Sequence, residues 1–345
     1  MTKKILSYST LCILVSSAGL NAATISWNSA SSDVNFNTGS NWVGGAVPTA
    51  SDFARIGDPS ATATVSGDAN VDSLSTGGPS TLNVNSGVLT VATTAYIGDA
   101  GYAGVRQGTM NLNGGRLTVG TILQVGSWNS DSQESTLNVT GGTLNARRFY
   151  VGQVSDGTLN ISGGNVDLTT NVDYIPLQIG EGNGNGTLTM TGGNLTTNGI
   201  KLNADGTGLG TINLDGGTIG INSNFYGDAA NNYSNGLLAY GAGANIAIGD
   251  GVLQLKGTQK ATEMGVFIAE GLVTFATSTL THSTITASAE HSWTSTDGTT
   301  TLYADTNEVT SGYTTFWATS AVPEPSAYAL LLGSFLFALV MLRRR

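Results

Sequence analysis

The sequence predicts an all-β fold, a right-handed parallel β-helix built as a three-sided solenoid of about 26 residues per coil, with capping segments and a C-terminal transmembrane helix. Three observations lead there. One pattern recurs six times: TLNVNSGVLTV at Thr81, TMNLNGGRLTV at Thr109, TLNVTGGTLNA at Thr136, TLNISGGNVDL at Thr158, TLTMTGGNLTT at Thr187 and TINLDGGTIGI at Thr211. The starts lie 28, 27, 22, 29 and 24 residues apart, a mean of 26. Within each copy polar and apolar residues alternate, the period of a strand with one buried face. Between copies a further apolar stretch recurs as AYIG to Gly98, LQVG to Gly126, FYVG to Gly152, LQIG to Gly180, and IKL at Ile200–Leu202 without the glycine. Charged residues make up only 10% of the chain, against a usual ~25%, and 48 of the 345 residues are glycine. Such a composition fits disorder too, but the periodic aliphatics give every copy a side to bury.

Residues 1–22 read as a signal peptide. Lys3 and Lys4 precede an apolar core from Leu11 to Val15, and Ala22 or Ala23 offers a small-residue cleavage point. Cys12, the only cysteine, lies inside this segment, so the processed chain is expected to use no disulfide, thiolate nucleophile or cysteine-held metal. Residues 23–60 form an N-terminal cap in which Trp27, Phe36 and Trp42 are expected to plug the first coil.

Residues 61–256 are the repeats, with 61–80 and 236–256 read as decayed coils. Parity places Leu137 and Val139 inward, with Leu82, Val84, Met110, Leu112, Leu159, Ile161, Leu188, Met190, Ile212 and Leu214 in the same positions of the other copies. Gly114-Gly115, Gly141-Gly142, Gly163-Gly164, Gly192-Gly193 and Gly216-Gly217 fall at the same corner of successive repeats, where positive φ is admissible. Two architectures compete. A strand on each side of Gly-Gly can form a hairpin; alternatively, each strand pairs with its equivalent one coil away, about 4.8 Å along the axis. The third strand favours the coil, since a hairpin leaves AYIG or LQVG without a partner. Stacked coils also align Asn83, Asn111, Asn138, Asn160 and Asn213 as an outward ladder broken at Thr189. Eight coils make a rod of roughly 40 Å.

Residues 257–320 read as a C-terminal cap, with a short helix at Ala261–Ile268 and strands near Thr299–Ala304 and Tyr313–Ala318. An open parallel stack exposes a strand edge at each end, and a cap covers one. Residues 321–345 then combine Pro323-Glu324-Pro325, an apolar stretch over 327–342 and the basic run Arg343, Arg344, Arg345. Sixteen helical residues span about 24 Å, short of a ~30 Å hydrocarbon core by a length that snorkelling arginines can cover.

The tail resembles the PEP-CTERM sorting domain of Gram-negative bacteria, over residues 322–345. The resemblance implies that Pro323, Glu324 and Pro325 are read as a substrate by an exosortase-type membrane protease, a transient partner. It also implies an inner-membrane intermediate, then the cell surface or extracellular matrix, and association with exopolysaccharide. NWVGGAVPTASDFARIG from Asn41 resembles the opening segment of autotransporter-like and PEP-CTERM β-helix proteins.

Charge and chemistry restrict the rest. With both terminal signals removed, lysine plus arginine falls from 13 to 8 and aspartate plus glutamate from 23 to 22, leaving a net charge of −14. That charge repels phosphate backbones, so no nucleic-acid partner is expected. His282 and His291 lack a third ligand nearby in sequence, and no metal or cofactor is expected. GEGNGNG at Gly180 and GDAGYAG at Gly98 read as turns because no helix follows. Calcium at Asp205-Gly206 lacks the tandem acidic nonapeptide. Many polysaccharide lyases and hydrolases are parallel β-helices with carboxylates and arginines on an outer face; here the comparable grouping is Arg147 and Arg148 with Asp167 and Asp173. The matched outer positions of neighbouring coils carry Asn and Thr, so no catalytic residue is expected. The expected role is structural or adhesive, with a polysaccharide-degrading enzyme and a permanently membrane-anchored structural protein as the alternatives.

Overall fold

The computed structural model describes residues 23–28, 32–57, 61–98, 106–127, 133–170, 175–203, 207–222, 237–239, 243–257, 260–275, 290–296, 298–307 and 309–320. They form an all-β, β-helix-like stack in which strands pair in parallel with their equivalents in the next repeat.

Three columns of strands run along the stack. The first proceeds from Thr62–Val65 through Ser80–Val84, Gly108–Leu112, Ser135–Val139 and Gly157–Ile161 to the first halves of Gly186–Thr197 and Gly210–Ile221, then Ala244–Ile248 and Val273–Phe275. The second carries the strands that follow each glycine corner, from Ala69–Val71 to Val252–Lys256. The third holds the recurrent AYIG-type stretches and begins at Thr24–Ser26, which pairs with Phe53–Ile56. Parallel pairing therefore extends outside residues 61–256 on both sides. The hairpin alternative is ruled out for these repeats: Thr143–Ala146 pairs with Arg116–Val119 and Asn165–Asp167, one coil to either side, and not with Ser135–Val139 across its own Gly-Gly corner.

Alternation sets which side faces in. Leu137, Val139, Leu159, Ile161, Leu188 and Met190 are fully buried, and their equivalents in the other copies are at most 2% exposed. The stack is held at this spacing by its corners. At Gly142 the backbone has φ +68°, and a Cβ there would lie 2.5 Å from the Gly115 carbonyl oxygen of the preceding coil. A Cβ at Gly141 would meet the Asn113 carbonyl oxygen at 2.5 Å. The second glycine of the pair therefore meets a conformational demand as well as a steric one, and the first meets a steric demand alone.

Both ends are closed. Trp42 packs edge-on against Trp27 and Phe36, with ring centroids 4.9 and 4.8 Å away, and its indole N–H donates to the Phe36 carbonyl at 2.7 Å. At the far end Val252–Lys256 pairs antiparallel with Tyr313–Ser320, which pairs antiparallel with Thr300–Thr306. The helix Lys260–Ala269 buries Ala261 and Met264 against the last coil. Among the described residues no helix is long and apolar enough to cross a membrane; residues 321–345, including the stretch 327–342, lie outside them.

Candidate functional site

Among the described residues, the outer face of the first strand column repeats one residue pattern from copy to copy. Because side chains alternate, each copy projects residues 1, 3 and 5 of its strand and corner outward. Residue 1 is Thr62, Thr81, Thr109, Thr136, Thr158, Thr187 or Thr211, stacked in exact register. Residue 3 gives the asparagine ladder and residue 5 gives Asn85, Asn113, Thr140, Ser162, Thr191 and Asp215. Rows repeat at about 4.8 Å and columns lie about 6.6 Å apart.

The two inner columns differ in how their polar groups are used. Asn111 Nδ2 donates to Asn83 Oδ1 at 2.8 Å, Asn138 Nδ2 to Asn111 Oδ1 at 2.8 Å and Asn160 Nδ2 to Asn138 Oδ1 at 2.9 Å. Asn111 and Asn138 thus each spend one donor and one acceptor on their neighbours, while Asn83 accepts and Asn160 donates. At Thr189 the ladder is weak, with Asn213 Nδ2 reaching the hydroxyl only at 3.5 Å. In the outermost column Asn113 Nδ2 donates to Asn85 Oδ1 at 2.9 Å and Thr140 Oγ1 to Asn113 Oδ1 at 3.1 Å. By contrast, the hydroxyls of Thr81, Thr109, Thr136, Thr187 and Thr211 have no partner among the described residues; Thr158 donates to Glu134. These threonines are half-buried. The threonine column was visible as the first letter of every copy, but which hydroxyls stay open is set by neighbours that only the stacking supplies.

The other two faces are different. The second carries charges and scattered polar groups, including exposed Arg116 and half-buried Asp167. The third runs Ser75, Tyr96, Gln124, Tyr150, Gln178, Lys201 in register, with Ser75 and Gln124 fully buried and Tyr150 8% exposed. Burial, reinforced by the nearby Glu181 carboxylate, holds the Tyr150 phenol above its ordinary pKa, so it stays protonated.

The residues singled out from sequence fall as follows. Pro323, Glu324, Pro325, Arg343, Arg344 and Arg345 lie outside the described residues, as do Ala22, His282, Asp173 and Asp205-Gly206. Ala23 is described, and its carbonyl accepts from Phe53 N–H at 2.8 Å, which ties it to the backbone ladder. Arg147 is exposed and Arg148 half-buried. Asp167 is engaged within its own turn, its Oδ1 accepting from Thr169 N–H at 2.9 Å and Thr169 Oγ1 at 2.6 Å. His291 is exposed and lies nearly parallel to Trp293, centroids 6.2 Å apart. GEGNGNG is a turn with Gly180 and Gly182 at positive φ, leading into the strand at Gly186; GDAGYAG is described only at Gly98. Among the described residues no three His, Cys, Asp or Glu side chains converge to hold a metal ion.

No family model matches the chain, and no curated protein or solved structure shows significant similarity to it.

Proposed function

We propose that this chain is an exported surface or extracellular-matrix protein, sorted by an exosortase-type protease and serving a structural or adhesive role in association with exopolysaccharide. The observation that carries the structural role is the asparagine ladder. Its amides bond along the stack and face outward in a flat array, an arrangement that presents a surface and encloses no pocket. The stack is read as a right-handed three-sided β-helix, the hand that parallel crossovers take. Residues 1–22 serve as the signal peptide, 327–342 as the membrane helix, and Pro323-Glu324-Pro325 as the box recognised before release.

The hydrogen bond between Ala23 and Phe53 supports cleavage after Ala22, since removal of Ala23 would delete it. Mass spectrometry of the mature protein from its native host locates both processed ends. An intact C-terminus in surface fractions would leave the permanently anchored alternative standing. Glu324→Ala is expected to strand the protein in the inner membrane with its tail attached; normal surface release of that variant removes the sorting reading.

A further inference from the structure

We infer that the threonine column of the first face is a docking track for a neutral polyhydroxylated polymer, a glycan chain lying along the stack. The inference rests on the polysaccharide association proposed above and specifies which surface makes it.

Three observations favour this occupant. Hydroxyls that are both donor and acceptor stand open at Thr81, Thr109, Thr136, Thr187 and Thr211, so the partner must offer donors and acceptors alike, as sugar hydroxyls do. Beside Thr81, Thr109 and Thr136 the adjoining asparagine ladder is locked by its own hydrogen bonds, so that part of the track is rigid before anything binds. The threonine and asparagine columns carry no charge of their own, Glu134 beside Thr158 is negative and the whole chain has a net charge of −10, so an anionic polymer is repelled. Of the other faces, the second is charged at Arg116 and Asp167, and the third is largely buried at Ser75, Gln124 and Tyr150. The two inner columns also lack an aromatic ring, so each contact is weak and binding depends on many engaged together. From Thr62 to Thr211 the column spans about 29 Å at 4.8 Å per coil.

The test uses the purified full-length chain in affinity gels cast with dextran, with a soluble linear β-glucan, or with alginate. Retardation is expected with at least one neutral polymer and not with alginate. The triple variant Thr109→Val, Thr136→Val, Thr187→Val keeps side-chain volume and strand preference, and should bind about tenfold or more weakly because several repeated contacts are lost together. Thr118→Val with Thr196→Val, on the second face, should change nothing. A second arm needs no variant: long neutral chains should compete for binding and a disaccharide of the same sugar should not. Unchanged retardation of the triple variant, equal loss in the control pair, full competition by the disaccharide, or retention by alginate alone would each overturn the inference. Absence of retardation in every gel would overturn it as well, while the sorting reading stands or falls separately on the mature termini and Glu324→Ala.

Discussion

At the scale of single residues, adjacent positions in one strand do opposite work. Leu137 is fully buried, and Leu137→Ala should cost about 2–5 kcal/mol. Asn138 faces outward yet takes part in two ladder bonds, so Asn138→Leu should cost about 1–3 kcal/mol, at roughly 0.5–1.5 kcal/mol per hydrogen bond. Thr136→Val loses no protein partner and should leave the denaturation midpoint unchanged. Chemical unfolding of the three variants checks the order; a Thr136→Val loss as large as that of Asn138→Leu would contradict the hydrogen-bond assignment. Inward and outward positions were legible from parity alone. That the outward asparagines are bonded to one another was not, because alignment in sequence fixes neither rotamer nor distance. Asp52 illustrates the same gap at an exposed loop: Thr49 Oγ1 and N–H, 2.6 and 2.8 Å away, hold its carboxyl below the ordinary range. Since its folded pKa is depressed, its contribution is present above the ordinary carboxylate pKa and disappears as pH falls through the lower folded value. Protection of the Thr49 amide, taken relative to its intrinsic exchange rate at each pH, should therefore fall in that acid window, and Asp52→Asn should abolish the pH dependence.

At the scale of elements, the repeats and the cap were legible to different degrees and for different reasons. The helix expected at Ala261–Ile268 occurs as Lys260–Ala269, because Ala261, Met264 and Ile268 mark one face at helical spacing. Third-column strands as far back as Thr24–Ser26 were hidden, since three residues are too few to show a period and the pairing is non-local. The strand Tyr313–Ser320 lies between Val252–Lys256 and Thr300–Thr306, so its loss would uncover a long edge of the last coil. Thr315→Pro removes a ladder donor from a strand paired on both sides and should convert a monodisperse sample into higher oligomers. Light scattering after size exclusion reads this directly; an unchanged monomer peak would show that the helix alone protects the edge.

At the scale of the whole molecule, stability is a sum of neighbouring coils, so local defects should open the stack locally. Hydrogen exchange of the Leu137→Ala variant should accelerate most in the adjoining strands Gly108–Leu112 and Gly157–Ile161, with Trp42 and Phe316 at the two ends little affected. The glycine corners add something of a different kind. Gly141 and Gly142 are fixed by carbonyls of the coil beneath them, and their own coil, through the Thr140 and Gly142 carbonyls, imposes the same demand on Gly163 and Gly164 in the coil above. Compatibility is thus passed from each turn to the next, and any turn that obeys it fits anywhere in the series. A duplicated segment of one full repeat meets this condition, whereas a single residue inserted beside Gly142 breaks the register of everything paired with it. Length is therefore adjustable in whole coils of about 4.8 Å each, while the segments away from the corners absorb the difference between copies spaced 22 and 29 residues apart.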